Sequence, residues 1–240
     1  QYRGFRTSLF NYVSAKQNKV KFLIRVEDTD AERSKAEFEE NILKGLSNIG
    51  IRPDEPPVRQ SERSELYTLA AEQIFESGNA YWCDCSKEAL DEMRKEQEKA
   101  GKKPMYDGRS RDLGLERTNN SVLRLKTPQD GELVFHDLVR GEVIFQNSEL
   151  DDLILLRSDG SPTYHLCNVV DDFNQGVTTV VRGEDHLSNT PRQIHIQNAL
   201  GYDSLEYAHL PMVLGQDKKR FSKRNAVTIL QDYFDQGYLE

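Results

Sequence analysis

Val177-Thr178-Thr179-Val180-Val181-Arg182-Gly183-Glu184-Asp185-His186 decides the fold. The first six residues are dominated by β-branched side chains and are too few for a helix, so they predict a buried strand. A polar cluster follows at once. Thr190-Pro191-Arg192-Gln193 then predicts a helix start, with Thr as cap, Pro in the first turn and Gln completing a capping box. Gly201 is placed to end that helix. A strand that delivers polar residues at its carboxyl end and then turns into a helix is the repeating unit of a parallel α/β sheet. In such sheets ligands bind at the carboxyl ends of the strands.

The same grammar opens the chain. Phe5, Leu9, Tyr12 and Val13 recur at helical spacing over 5–16, and Val20-Lys21-Phe22-Leu23-Ile24-Arg25-Val26 predicts a short buried strand. Ser34-Lys35-Ala36-Glu37 fits a capping box, Phe38, Ile42 and Leu46 share one helical face, and Gly50 can close that helix. A further helix fits 62–76, with Leu66, Leu69, Ala70 and Ile74 inward and Gly78 at its end. The order helix, strand, helix, helix suits a parallel α/β sheet whose first strand is missing. From about Tyr81 the pattern changes. A charged helix over 86–99 leads into a loop rich in Gly, Lys, Arg and Asn, then strand candidates at 121–126, 132–136, 140–145 and 152–157, and an Asp159-Gly160 turn. These elements read as an inserted α+β unit.

The composition sets limits. In 240 residues, 37% are hydrophobic and 30% charged, which fits a globular chain large enough for more than one unit. No apolar run approaches a membrane span and no signal peptide opens the chain, so the expected setting is cytoplasmic. Three cysteines are too few for a disulfide scaffold. The chain begins with Gln1, not Met, which suggests a fragment. A net charge of −8 argues against general nucleic-acid affinity. The charge is uneven, however. Residues 1–26 hold Arg3, Arg6, Lys16, Lys19, Lys21 and Arg25 and no acid, and a second cluster joins Lys218, Lys219, Arg220, Lys223 and Arg224. Screening acts over about 8–10 Å, so local clusters can still take phosphates.

Four clusters carry candidate chemistry. Arg25-Val26-Glu27-Asp28-Thr29-Asp30 follows a strand and could hold an ammonium group or a metal, although capping of the next helix is the plainer use. Arg182-Gly183-Glu184-Asp185-His186 offers a guanidinium that can grip a carboxylate through two parallel bonds, or a surface ion-pair network. Arg220-Phe221-Ser222-Lys223-Arg224 suits a loop that neutralises a polyphosphate, or one that is merely solvated. Cys83-Asp84-Cys85 supplies two of the four ligands zinc needs, and two ordinary thiols is the simpler reading.

The combination and order of these clusters resemble one family. Gly4-Phe5-Arg6-Thr7-Ser8-Leu9-Phe10-Asn11-Tyr12 resembles the G-A-R-T-A-L-Y-N-Y stretch of glutamyl-tRNA synthetases, and Arg25 to Asp30 resembles their R-I-E-D-T-D. Leu155-Leu156-Arg157-Ser158-Asp159-Gly160-Ser161-Pro162-Thr163-Tyr164-His165 looks like L-L-R-S-D-G-T-P-T-Y-H. Val181 to Gln193 is nearly the family's own run, and Phe221-Ser222-Lys223-Arg224 stands where the family has its K-M-S-K-S-type loop. The match is collinear over essentially the whole chain.

The resemblance implies a class I aminoacyl-tRNA synthetase: a Rossmann-like parallel-sheet domain at 1–80 and 160–215, an inserted α+β acceptor-stem-binding domain at 81–159, and the ATP loop with the start of a stem-contact domain at 216–240. It implies the attachment of glutamate to tRNA(Glu) through glutamyl-adenylate, with ATP and Mg2+ as substrate and no membrane. By family position Glu27 holds the substrate ammonium, and Tyr164, Asn168 and Arg182 line the amino-acid pocket, with Arg182 on the side-chain carboxylate. Asp185 and His186 lie near the ATP ribose, Met212 and Val213 read adenine through their backbone, and Arg220 and Lys223 act on the departing phosphates. A monomer is expected.

The sequence departs from the family in three places. Gln1, Tyr2 and Arg3 stand where an H-I-G-H-type motif precedes G-A-R-T, so either that motif lies before residue 1 or the ATP site is damaged. Ser110 and Asp112 fill the places of the second zinc pair in zinc-bearing relatives, so no zinc is expected. Arg220 replaces the commoner Lys and keeps the charge. Three alternatives follow: a glutamyl-queuosine tRNA(Asp) synthetase, to which the short chain is suited, a glutaminyl-tRNA synthetase, and a non-catalytic paralogue that binds tRNA or protein.

Overall fold

The structure is a computed structural model that describes residues 2–28, 36–212 and 237. In chain order it runs α1 (Tyr2–Asn18), β1 (Arg25–Val26), α2 (Ala36–Asn48), β2 (Val58–Arg59), α3 (Ser64–Glu76), β3 (Ala80–Cys83), α4 (Lys87–Lys99) and β4 (Val122–Leu125). It continues with β5 (Glu132–Asp137), β6 (Gly141–Gln146), β7 (Ile154–Leu156), α5 (Tyr164–Asn174), β8 (Thr179–Gly183), α6 (Thr190–Leu200) and β9 (Glu206–Leu210). Contacts divide the chain into two compact units, 1–62 with 180–187 and 207–240, and 63–179 with 188–206. This grouping places α3, α5 and α6 with the segment read from sequence as an insertion.

In the first unit Ala15, Phe22, Leu46 and Ile51 form a core against which Phe5, Tyr12 and Ile24 pack. The expected strand over 20–26 is regular only at Arg25–Val26, which pairs in parallel with Val58–Arg59. Upstream, the Asp54 carboxylate accepts from Phe22 N at 2.8 Å. A side chain thus replaces a ladder partner, which is why the regular strand is short. Gly50 closes α2 at φ +77°, as its position predicts. Ile42 does not join the buried face and stays 45% exposed, whereas Leu46 is buried. On the carboxyl side β8 neighbours β9.

In the second unit α3, α5 and α6 pack on a three-stranded antiparallel sheet ordered β3-β4-β7. All four residues of β3 are buried because the strand has a core on each face. Ala80 and Trp82 face the large helical core, while Tyr81 and Cys83 face Met93 of α4 and Tyr106. The buried stripe of α3 is Tyr67, Ala70, Ala71 and Ile74. Leu69, expected inward, lies off that stripe and is 55% exposed. Helix α6 begins one residue earlier than its sequence suggests: Asn189 is the cap and Thr190 is already helical. Gly201 ends it in the left-handed conformation at φ +70°. The β5–β6 hairpin pairs Glu132↔Gln146 through Asp137↔Gly141. Asp137, fully buried, accepts from Val139 N and Arg140 N at 3.0 Å and shapes the turn. Among the described residues no helix is long and apolar enough to cross a membrane.

Candidate functional site

The candidate residues are contributed by both units. Glu27, Arg182, Asp185, His186 and Met212 belong to the first, Tyr164 and Asn168 to the second. Val213, Arg220 and Lys223 lie outside the described residues, as do Thr29, Asp30, Ser34 and the rest of the basic loop.

At the carboxyl end of β1, Glu27 has a half-exposed side chain 3.9 Å from Arg25. Asp28 reaches back to the turn after β2. Its carboxylate accepts from Ser61 N at 2.9 Å and from the Ser61 hydroxyl at 2.6 Å. Burial works to raise the Asp28 carboxyl, but the two Ser61 bonds outweigh it and hold the group below the usual carboxylate range. The carboxylate of Asp28 thus fixes the turn after β2.

At the end of β8, Arg182 donates from Nε to Nε2 of His209 at 3.1 Å, and its guanidinium carbon lies 6.0 Å from the Tyr207 ring. His209 is fully buried on the neighbouring strand β9. Two residues later Glu184 Oε1 accepts from Met212 N at 2.7 Å. Helix α1 holds the backbone of both segments: Asn11 Nδ2 donates to Val181 O at 2.9 Å, and Arg6 Nη1 to Pro211 O at 2.7 Å. Gly183 matters because a Cβ there would stand 2.5 Å from Asp185 Oδ1. Its missing side chain is the space the Asp185 carboxylate occupies. Asp185 is exposed and His186 half-buried, both in the 3-10 turn Glu184–Asn189.

In the second unit Thr163 precedes α5, its hydroxyl donating to Ile154 O at 2.7 Å. Tyr164 starts the helix and Asn168 sits one turn on, 5% exposed. Spacing of four puts both on one helical face. A further three residues on, Asp171 is fully buried and accepts from Arg63 Nε at 2.8 Å and Tyr67 OH at 2.9 Å. That network ties α5 to α3. Burial, reinforced by Asp171, pushes the Tyr67 phenol well above its ordinary value.

Cys83 Sγ lies 3.3 Å from the Tyr106 hydroxyl and 3.5 Å from Ser110 Oγ. Burial raises the Cys83 thiol, but the Tyr106 and Ser110 contacts outweigh it and hold it below its ordinary value. Burial pushes Cys85 up. Ser110 thus sits beside Cys83, and among the described residues no three His, Cys, Asp or Glu side chains are grouped to hold a metal.

The sequence does not reveal the roles of His209 and Ser61, the contacts of Glu184 and Asn11, or the Arg63–Tyr67–Asp171 network. Each acts across at least 27 residues of chain, so no local spacing marks these contacts.

The family model for tRNA synthetases class I (E and Q), catalytic domain, matches residues 4–240. The glutamate–tRNA ligase of Thermodesulfovibrio yellowstonii is 49% identical over 236 residues, covering 98% of this chain and 51% of that protein. Glutamate–tRNA ligase 1 of Alkalilimnicola ehrlichii is 50% identical over 239 residues, with 98% and 50% covered. The crystal structure of a glutamate tRNA ligase from Elizabethkingia meningosepticum in complex with its amino acid superposes with a TM-score of 0.85 at 34% identity, covering 93% of this chain and 49% of that one. This chain spans about half the length of these relatives.

Proposed function

Since the chain belongs to the class I tRNA synthetase family specific for E and Q, and matches its catalytic domain, we propose that it activates glutamate with ATP and passes the glutamyl group to tRNA(Glu). The observation that carries this reading is the guanidinium of Arg182, held from the side by His209 at the carboxyl end of a strand. A fixed guanidinium separates glutamate from glutamine through lost charge pairing with the neutral amide.

In this proposal Glu27 takes the substrate ammonium, Tyr164 and Asn168 line the pocket, and Arg182 receives the side-chain carboxylate. An α-carboxylate oxygen of glutamate attacks the α-phosphorus of ATP, the bond to the β-phosphate breaks, and pyrophosphate leaves. The 2′-hydroxyl at the tRNA 3′ end then attacks the acyl carbon and AMP departs. Neither step needs a covalent enzyme intermediate, so alignment and electrostatic stabilisation supply the catalysis. Arg220 and Lys223 neutralise the departing phosphates by family position, and Mg2+ arrives with ATP. Asp185 and His186 serve the ribose. The Met212 amide is donated to Glu184, so adenine reading there falls to the Met212 carbonyl and to Val213. The segment 81–159 grips the tRNA acceptor end, the Cys83–Ser110 cluster takes no zinc because Ser is a poor zinc ligand, and the protein acts as a cytoplasmic monomer.

ATP–pyrophosphate exchange tests the proposal, with tRNA(Glu) present, on this chain and on an N-terminally extended form. Exchange is expected with glutamate and not with glutamine, and charging of tRNA(Glu) and not tRNA(Asp). Binding of tRNA without exchange in either form would refute the ligase reading.

A further inference from the structure

We infer that His209 is a positioning residue that orients Arg182 and thereby sets selectivity for a carboxylate over an amide. The inference rests on the reading that Arg182 receives the side-chain carboxylate of the amino acid, and goes beyond it by saying what aims the guanidinium.

An arginine side chain has several soft torsions, so a guanidinium at a strand end samples many directions unless something anchors it. Here the anchor is on the adjacent strand: His209 Nε2 lies 3.1 Å from Arg182 Nε. Arginine has only donors, so Nε2 must present its lone pair and the ring must be neutral with its proton on Nδ1. An imidazolium would turn a second donor and a second positive charge toward the guanidinium, and the contact would be lost. The ring is itself immobilised. His209 is fully buried, and its plane lies 14° from that of Tyr207 with centroids 6.2 Å apart. Tyr207 also lies under the guanidinium, 6.0 Å from its carbon. One aromatic side chain thus supports both the acceptor and the cation.

The consequence is geometric. With Nε directed to His209, the guanidinium plane is held by a buried ring. Bidentate recognition requires that plane and the carboxylate plane to coincide. Removing the anchor leaves the charge in place and loosens its aim. Glutamate then binds less well, while ATP binding is untouched.

The test uses the full-length protein in ATP–pyrophosphate exchange with tRNA(Glu) present. His209→Phe keeps the ring and its stacking and removes the acceptor. His209→Gln returns an acceptor as an amide oxygen. The expected result for His209→Phe is a rise in KM for glutamate of roughly 10- to 100-fold, as for loss of a hydrogen bond to a charged group. KM for ATP should stay within about twofold, the preference for glutamate over glutamine should fall, and His209→Gln should recover most of the loss. In an Arg182→Gln background His209→Phe should add nothing. A general structural defect would instead raise both KM values and would not be rescued by Gln. If Arg182→Gln abolishes glutamate use while His209→Phe leaves KM for glutamate unchanged, the positioning role is overturned and the pocket assignment stands. If Arg182→Gln itself leaves glutamate KM unchanged, the pocket assignment fails and this inference fails with it.

Discussion

The buried carboxylate of Asp171 should be the point at which the second unit is most easily broken. Tyr67→Phe keeps the ring in the core and removes a 2.9 Å hydrogen bond to that carboxylate. A bond to a charged acceptor contributes about 1.5–3 kcal/mol, and Arg63 still holds the other oxygen at 2.8 Å, so about 2 kcal/mol is the expected loss. Asp171→Ala is worse. It strands the Tyr67 hydroxyl, which is in a fully buried residue, and the Arg63 guanidinium, whose side chain is 21% exposed. Removing one partner of a buried pair costs about 3–5 kcal/mol, and water reaching Arg63 places this case near the lower end. The chain's single tryptophan, Trp82, lies in the same core as Tyr67. Its fluorescence in a urea titration therefore follows the unfolding of this unit. The expected order of midpoints is wild type above Tyr67→Phe above Asp171→Ala, with the double variant no worse than Asp171→Ala because both changes break one network. A midpoint for Tyr67→Phe equal to wild type, or Asp171→Ala milder than Tyr67→Phe, would refute the account of what ties α5 to α3.

Four further outcomes are expected. Arg182→Gln should weaken glutamate use by about 100-fold or more with little change in ATP binding, read as separate KM values in pyrophosphate exchange. Lys223→Ala should lower the adenylation rate by roughly two to three orders of magnitude, as for loss of a group that stabilises transition-state charge, while circular dichroism stays unchanged. Gly183→Ala should push the Asp185 carboxylate from its place, since the added Cβ would stand 2.5 Å from Oδ1, and raise KM for ATP more than KM for glutamate. Burial lowers the His195 pKa, so the unfolded chain binds a proton more readily than the folded one. The stability contributed by neutral His195 is complete above the unfolded value of about 6.5 and is lost as pH falls through the depressed folded value. Urea midpoints measured downward from pH 7 should fall more steeply for wild type than for His195→Gln.

What the sequence made legible was whatever acts over three or four residues. Gly50, Gly78 and Gly201 each adopt the left-handed conformation at the helix ends assigned to them, because no other residue takes that backbone as cheaply. The strands at 122–125, 132–137, 141–146 and 154–156 fall within a residue or two of their predicted limits, and the charged helix expected over 86–99 runs from Lys87 to Lys99. Errors arose where local signals competed or where packing decided. Thr190 fits a cap by sequence but is already helical, and Asn189 holds the cap position without a side-chain cap bond. Leu69 and Ile42 fit an inward face by spacing alone, but the buried stripe of α3 runs through Tyr67, Ala70 and Ile74, which shifts Leu69 off it.

The candidate site divides along the same line. The residues proposed to meet the ligand come from motifs: Arg182 and Asp185 lie in one continuous run and Glu27 in another. The residues that hold them do not. The bond from Asp28 to Ser61, 33 residues away, has no local signal. His209 reaches Arg182 across 27 residues only because β8 and β9 are neighbours in the sheet. A motif therefore reports which groups can meet a substrate, whereas the topology determines which groups aim them. The second set is where selectivity can be altered without touching a residue that contacts the ligand, and that is why His209, and not another member of the motif, is the more informative residue to change.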